Sequence, residues 1–201
     1  MGAEGPYLAN GGKRMKKLTV CIDPGHTQGK DTKGDPGAVN GRRWESVAAL
    51  DIALSLGEMF KGAGCSVVYT RTKGDPSLTL KKRCDIANKA NADVFISIHL
   101  NSAENKAATG VEVLRYGTSS ERTINLAENV QRKLVDSTGF RDRGVKIRNN
   151  LYVLKHTKMP AILVETGFIS NNEQCEDLFS DDCQFYIAQA IFLGTMETFR
   201  M

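Results

Sequence analysis

The strongest constraint on the fold of this chain is an alternation between two hydrophobic periods. Short apolar, β-rich runs are separated by longer stretches whose apolar residues recur at helical spacing. Leu18–Ile22 is β-rich and ends in Asp23-Pro24-Gly25. Ser46–Phe60 carries Val47, Leu50 and Leu54 at helical spacing, and Gly62 and Gly64 close that helix before a second strand over Cys65–Thr70. A mixed helix over Leu78–Ala90, with Leu80, Cys84 and Ala87 on one side, leads to a third strand over Asp93–Ile98 and a fourth over Gly110–Tyr116. Glu121–Asp136 is a helix with Leu126, Val130 and Leu134 aligned. Gly139–Asn150, rich in Gly, Arg and Asn, reads as a loop. Leu151–Leu154 and Ala161–Val164 read as two short strands. Phe185–Phe199 closes the chain as a helix with Phe185, Ala188, Phe192 and Phe199 on one face. Strands alternating with helices predict a single α/β domain: a mostly parallel twisted sheet flanked by helices on both faces.

Composition narrows the class further. The 201 residues suit one domain with its own core, at 41% hydrophobic and 25% charged residues. No apolar run approaches the roughly 18–20 residues of a membrane-spanning helix, so no membrane anchor is expected. The net charge of +4 is spread among acidic residues rather than gathered in a stripe, so no nucleic acid partner is expected. The densest basic cluster, Lys81-Lys82-Arg83, reads as a solvated helix face. Five cysteines, an odd number without a C-x-x-C pair, fit neither a disulfide framework nor a thiolate zinc site. Cys21 and Cys65 read as small buried hydrophobes. Met1–Arg14 has no continuous apolar core, hence no secretion signal is read there, and Met15-Lys-Lys-Leu-Thr reads as a natural start. Residues 1–14 are expected to be a leader or cloning scar, and 15–201 one catalytic domain.

In sheets of this kind, chemistry gathers beyond the carboxyl ends of the strands. His26 follows the first predicted strand, His99 the third, and Glu165 the last. Glu45 opens the first long helix. Two imidazoles and a carboxylate, His26, Glu45 and His99, have the composition of a catalytic zinc site with one position left for water. Glu165, ending the apolar run Ala161–Val164, would stand outside the ligand set and handle protons. Taken singly, each residue has a plainer reading: a structural histidine, a carboxylate favoured by a helix N-terminus, an ion-pair partner. The third histidine, His156, reads as solvated or lining the cleft rim. The phosphate-loop-like Gly25–Asp31 is one residue short and has Asp31 where Ser or Thr would bind magnesium.

Asp23-Pro-Gly-His26, Asp35-Pro-Gly-Ala38, Glu45, Ser97-Ile-His-Leu-Asn101 and Val164-Glu-Thr-Gly-Phe-Ile-Ser-Asn171, in that order, resemble the zinc-dependent N-acetylmuramoyl-L-alanine amidases of the amidase 3 type. Arg143–Lys146, Leu151–Lys155 and Met159–Ile162 extend the likeness. The resemblance implies a sheet of about six strands and hydrolysis of the amide joining the lactyl group of N-acetylmuramic acid to L-alanine of the stem peptide. It implies one Zn2+ held by His26, Glu45 and His99, with Glu165 as the catalytic glutamate and Asn101 at a motif position near substrate. The expected partner is peptidoglycan, and the expected state a monomer. The expected setting is the cell wall, reached by phage-type release from the cytoplasm or as part of a longer extracellular chain. A non-catalytic wall-binding or regulatory module on the same scaffold, or a zinc carboxypeptidase or deacetylase, are the alternatives. The chain departs from the pattern in a longer, more charged Thr27–Gly34 link, in Leu100, and in Ala49.

Overall fold

The structure, a computed structural model, describes residues 17–27 and 34–199. The expected leader, and most of the long link after Thr27, lie outside the described residues. The elements in chain order are β1 (Thr19–Pro24), a short hairpin of β2 (Val39–Asn40) and β3 (Arg43–Trp44), α1 (Glu45–Gly62), β4 (Ser66–Tyr69) and α2 (Leu80–Lys89). They continue with β5 (Val94–Asn101), β6 (Val111–Arg115), α3 (Glu121–Thr138), β7 (Asp142–Ile147), α4 (Tyr152–His156), β8 (Ala161–Phe168), α5 (Asn172–Leu178) and α6 (Asp181–Phe199).

Six strands form one sheet in the order β4-β1-β5-β8-β6-β7. The first four are parallel, β6 runs antiparallel to β8, and β7 is parallel to β6. Strand alternation sorts the core into two layers. Val20, Ile22, Ile96, Ile98, Ile162 and Val164 face one side, where α1, α3 and α6 cover them. Cys21, Phe95, Leu114 and Leu163 face the other, under α2 and α4. Local signals set the helix ends. Thr79, Ser120 and Asn171 cap α2, α3 and α5 by accepting backbone N–H bonds, and Gly139 ends α3 in the left-handed conformation.

Several sequence expectations need correction. Gly139–Asn150 is not all loop, because β7 lies within it. It is an edge strand with no fully buried residue, so it lacks the apolar run that marks interior strands. Leu151–Leu154 is not a strand. It enters α4, whose Val153 and Leu154 fill the smaller core, and a four-residue apolar run carries no period long enough to separate the two. The last helix begins earlier, with Asp181 and Asp182 favoured at its positive end. Of the expected face only Phe185 fails, at 47% exposed; Ala188 is buried, Phe192 and Phe199 pack against the core, and Ile187 and Ile191 join them there. Arg83 is buried while Lys81 and Lys82 remain exposed. The hairpin and α5 had no counterpart in the sequence reading.

The α3–α6 contact sets a tight steric limit. A Cβ on Gly194 would lie 2.7 Å from Cα and 2.8 Å from the backbone N of Val130. Gly194→Ala is therefore expected to destabilise the fold by roughly 1–3 kcal/mol. Gly62→Ala, where a Cβ meets nothing within 4 Å, should leave stability equal or raise it by about 0.4–1 kcal/mol. Urea unfolding of both variants is the check.

Candidate metal centre

β1, β5 and β8 are neighbours, so the residues at their carboxyl ends converge on one edge of the sheet. His99 and Glu165 are register partners on β5 and β8. Glu112 on β6 faces Glu165 from the other side. His26 sits just past β1, and Glu45 is the first residue of α1. The four residues first picked from sequence, His26, Glu45, His99 and Glu165, thus come from separate stretches that this topology brings to one edge.

His26, Glu45 and His99 offer ligand atoms that all lie within 4.8 Å of one another. The Glu45 carboxylate joins the two rings, with Oε1 2.9 Å from His99 Nδ1 and Oε2 3.3 Å from His26 Nε2. The same oxygens accept backbone N–H bonds, Oε1 from Leu100 at 3.1 Å and Oε2 from Ala38 at 2.8 Å. Burial opposes the Glu45 charge, but its hydrogen bonds to His26 and His99 outweigh this and hold it well below the usual carboxylate range. The His26 ring is pushed up to about 9: burial works against its charge, and the bonds to Glu45 and then Asp35 overcome it.

The packing leaves no room for side chains beside the rings. A Cβ on Gly25 would sit 2.6 Å from the His99 ring, and one on Gly37 would sit 2.5 Å from Glu45 Oε2 and 2.6 Å from His26 Cδ2. His26 itself adopts φ 55°, and Gly37 φ 71°. A non-glycine residue in the left-handed region is uncommon and clusters at functional sites. Two imidazoles and one buried carboxylate, crowded together, form a donor set that fits a zinc ion.

Glu165 stands beside this cluster and is not one of its members. Its Oε2 is buried and makes no hydrogen bond among the described residues. Burial pushes its pKa up to about 7. A carboxyl in that state can both take and give a proton near neutral pH. Glu112 is fixed by Arg143 (Nε to Oε2, 2.9 Å) and by Asn101 (Nδ2 to Oε1, 3.2 Å). Asn101 also accepts from Ser102 N at 2.8 Å. His156 is exposed, is not part of the ligand cluster, and stacks on Tyr152. A cleft of about 410 Å³ runs from His26 and His99 along Thr79, Leu80 and Tyr152.

Sequence reasoning gave no role to Asp35, whose Oδ2 lies 2.8 Å from His26 Nδ1. A carboxylate on the far nitrogen fixes the tautomer and aims Nε2 inward. The signal was present as the second of two Asp-Pro-Gly triplets. Glu112 and Arg143 also went unassigned, because nothing in their spacing ties them to Glu165.

Fold and site together define a class: an α/β scaffold with two histidines and a glutamate placed to hold a metal, and a free carboxyl beside them. Residues 20–196 match the N-acetylmuramoyl-L-alanine amidase family, and the chain belongs to that family. It is 36% identical over 184 residues to LytC, an N-acetylmuramoyl-L-alanine amidase of Bacillus subtilis, a match covering 90% of this chain and 36% of that protein. It is 34% identical over 186 residues to the amidase CwlM of Bacillus licheniformis, covering 92% of this chain and 70% of that one. The crystal structure of an N-acetylmuramoyl-L-alanine amidase from Clostridium difficile 630 superposes with a TM-score of 0.82 at 34% identity, over 90% of this chain and 96% of that one. Among the described residues no helix is long and apolar enough to cross a membrane.

Asp35 is largely exposed, so its removal should spare the fold. Asp35→Ala is expected to lower affinity for a divalent transition metal by about 10- to 100-fold. Competition against a chromophoric chelator measures this, and an unchanged affinity would contradict the role given to Asp35.

Proposed function

We propose that this chain is a zinc-dependent N-acetylmuramoyl-L-alanine amidase that cleaves peptidoglycan between the lactyl group of N-acetylmuramic acid and the L-alanine of the stem peptide, acting at the bacterial cell wall. The observation that carries this reading is the Glu165 carboxyl, whose Oε2 is buried without a hydrogen-bond partner among the described residues, next to the three-residue ligand cluster, in a chain matched to the amidase family from residue 20 to residue 196.

His26, Glu45 and His99 would hold one zinc ion, which when bound polarises a carbonyl oxygen and makes water more acidic. The proton work falls to Glu165. It accepts a proton from the attacking water as the water oxygen bonds to the lactyl carbonyl carbon. It then gives that proton to the alanine nitrogen as the carbon–nitrogen bond breaks. Atoms and charge balance without a covalent enzyme intermediate. All five cysteines are free, and four of them are buried. None is assigned a role. Asp35 orients His26, and Gly25 and Gly37 leave space for the rings. Substrate contact by Asn101, expected from the sequence, would exchange its bond to Glu112 for one to the bound muropeptide.

A non-catalytic module would have no use for a buried carboxyl oxygen without a hydrogen-bond partner, an arrangement that is costly to keep. A zinc peptidase on the same centre would differ in its products. Glu165→Gln is expected to retain zinc and to lower turnover of purified peptidoglycan by about 10²- to 10⁴-fold. Mass analysis of wild-type digests should show glycan freed of stem peptides that are themselves intact. Shortened stems, or near-normal turnover by Glu165→Gln, would overturn the assignment.

A further inference from the structure

The His26 loop is gripped by two buried guanidinium groups that the catalytic reading does not use. Arg71 follows β4 and Arg83 lies on α2, and they are 3% and 4% exposed. Arg83 donates through Nη1 to Asp23 Oδ1 and to the Pro24 carbonyl, both at 2.7 Å. Its Nη2 reaches the His26 carbonyl at 2.8 Å. Arg71 donates through Nε to the Pro24 carbonyl at 3.1 Å and through Nη2 to the Gly25 carbonyl at 2.7 Å. The same Nη2 reaches the Ser46 carbonyl at 2.8 Å. Three consecutive carbonyls, Pro24, Gly25 and His26, are therefore all taken by these two side chains. Ser46 is the residue after Glu45, so Arg71 also ties the loop of one ligand to the helix turn of another.

Asp23 anchors the arrangement. It is 1% exposed and accepts from Thr70 Oγ1 at 2.5 Å and from Ser97 Oγ at 2.7 Å, besides Arg83. Ser97 is its register partner on β5, two residues before His99. The clamp thus spans the strands that lead to both histidines. Two guanidinium groups buried side by side repel each other, and burial followed by the neighbouring Arg83 pulls Arg71 down to about 10. So costly a pairing needs a reason beyond packing. His26 supplies one. Its left-handed backbone, φ 55°, persists only when the surroundings over-determine it.

We propose that Arg71 and Arg83 are the positioning residues of the metal centre, holding the His26 loop in the one backbone conformation in which its ring meets Glu45. This rests on the zinc reading above. The planar fork of a guanidinium bridges several acceptors at fixed angles. An ammonium is a compact charge that cannot do so.

The test compares Arg71→Lys, Arg83→Lys and Leu134→Ala in the full chain. Leu134 lies on α3 in the larger core, across the sheet from the α2 helix that carries Arg83. Folding is checked by circular dichroism, zinc affinity by chelator competition, and ligand geometry by the visible absorption of the cobalt-substituted protein. Each lysine variant should fold, bind zinc about 10- to 100-fold more weakly and show an altered cobalt spectrum. Leu134→Ala should melt at lower temperature with unchanged zinc affinity. Should a lysine variant not fold, Ser97→Ala, which removes only one partner of Asp23, should give a smaller loss of affinity in the folded protein. Wild-type affinity in the lysine variants, or in Ser97→Ala where that variant decides, overturns the proposal. An equal loss in Leu134→Ala also overturns it, since affinity would then follow stability alone. A wild-type chain that binds no zinc would instead reject the underlying function.

Discussion

The buried Glu45 carboxylate is the point on which a loop, a strand and a helix must agree. It touches the ring of His26 from the loop after β1 and the ring of His99 from β5, and it accepts the backbone N–H groups of Ala38 and Leu100. A charge this deep is tolerated only when its partners are in place, and leaving one unpaired costs about 3–5 kcal/mol. The carboxylate therefore enforces the geometry of the site as well as belonging to it. Any shift of α1 against the sheet breaks several of these bonds together. Glycines at 25 and 37 follow from the same crowding, since the rings occupy the space that a Cβ would need.

Sheet order turns this local arrangement into a place for chemistry. Because β1, β5 and β8 are adjacent and parallel, three chain segments far apart in sequence end on the same edge. Register then pairs His99 with Glu165 and Glu165 with Glu112. The two glutamates are treated differently by their surroundings. Arg143 and Asn101 hold Glu112, whereas Glu165 keeps one oxygen without a partner. A carboxylate held by two partners stands next to one with a free oxygen, and it is the latter to which the proposed reading gives the proton transfers.

Much of the fold, and the convergence of the candidate residues, was legible in the sequence because those residues lie where the periodicity changes. His26, His99 and Glu165 each follow a strongly apolar strand, and the two-layer α/β fold follows from strands alternating with helices. Reading failed where an element lacked its usual signature. β7 is an edge strand with polar residues and a glycine at 144, so it looked like a loop. α4 is too short for its period to register, so its apolar residues looked like a strand. Arg83 was hidden by its neighbours: two solvated lysines precede it, and nothing local marks the third cation as turned inward to Asp23. Asp35 belongs to a legible motif, but its partner His26 is nine residues away in sequence and no spacing rule predicts their contact. Long-range polar contacts of this kind depend on tertiary placement, which one sequence does not display.

The most direct test of the central claim is anomalous diffraction at the zinc absorption edge from crystals of freshly purified, unchelated protein. One strong peak per chain is expected, bounded by His26, Glu45 and His99 at zinc–nitrogen and zinc–oxygen separations of about 2.0–2.2 Å, with Glu165 outside the coordination sphere. A peak elsewhere, no peak at all, or a peak coordinated by Glu165 in place of Glu45 would contradict the account.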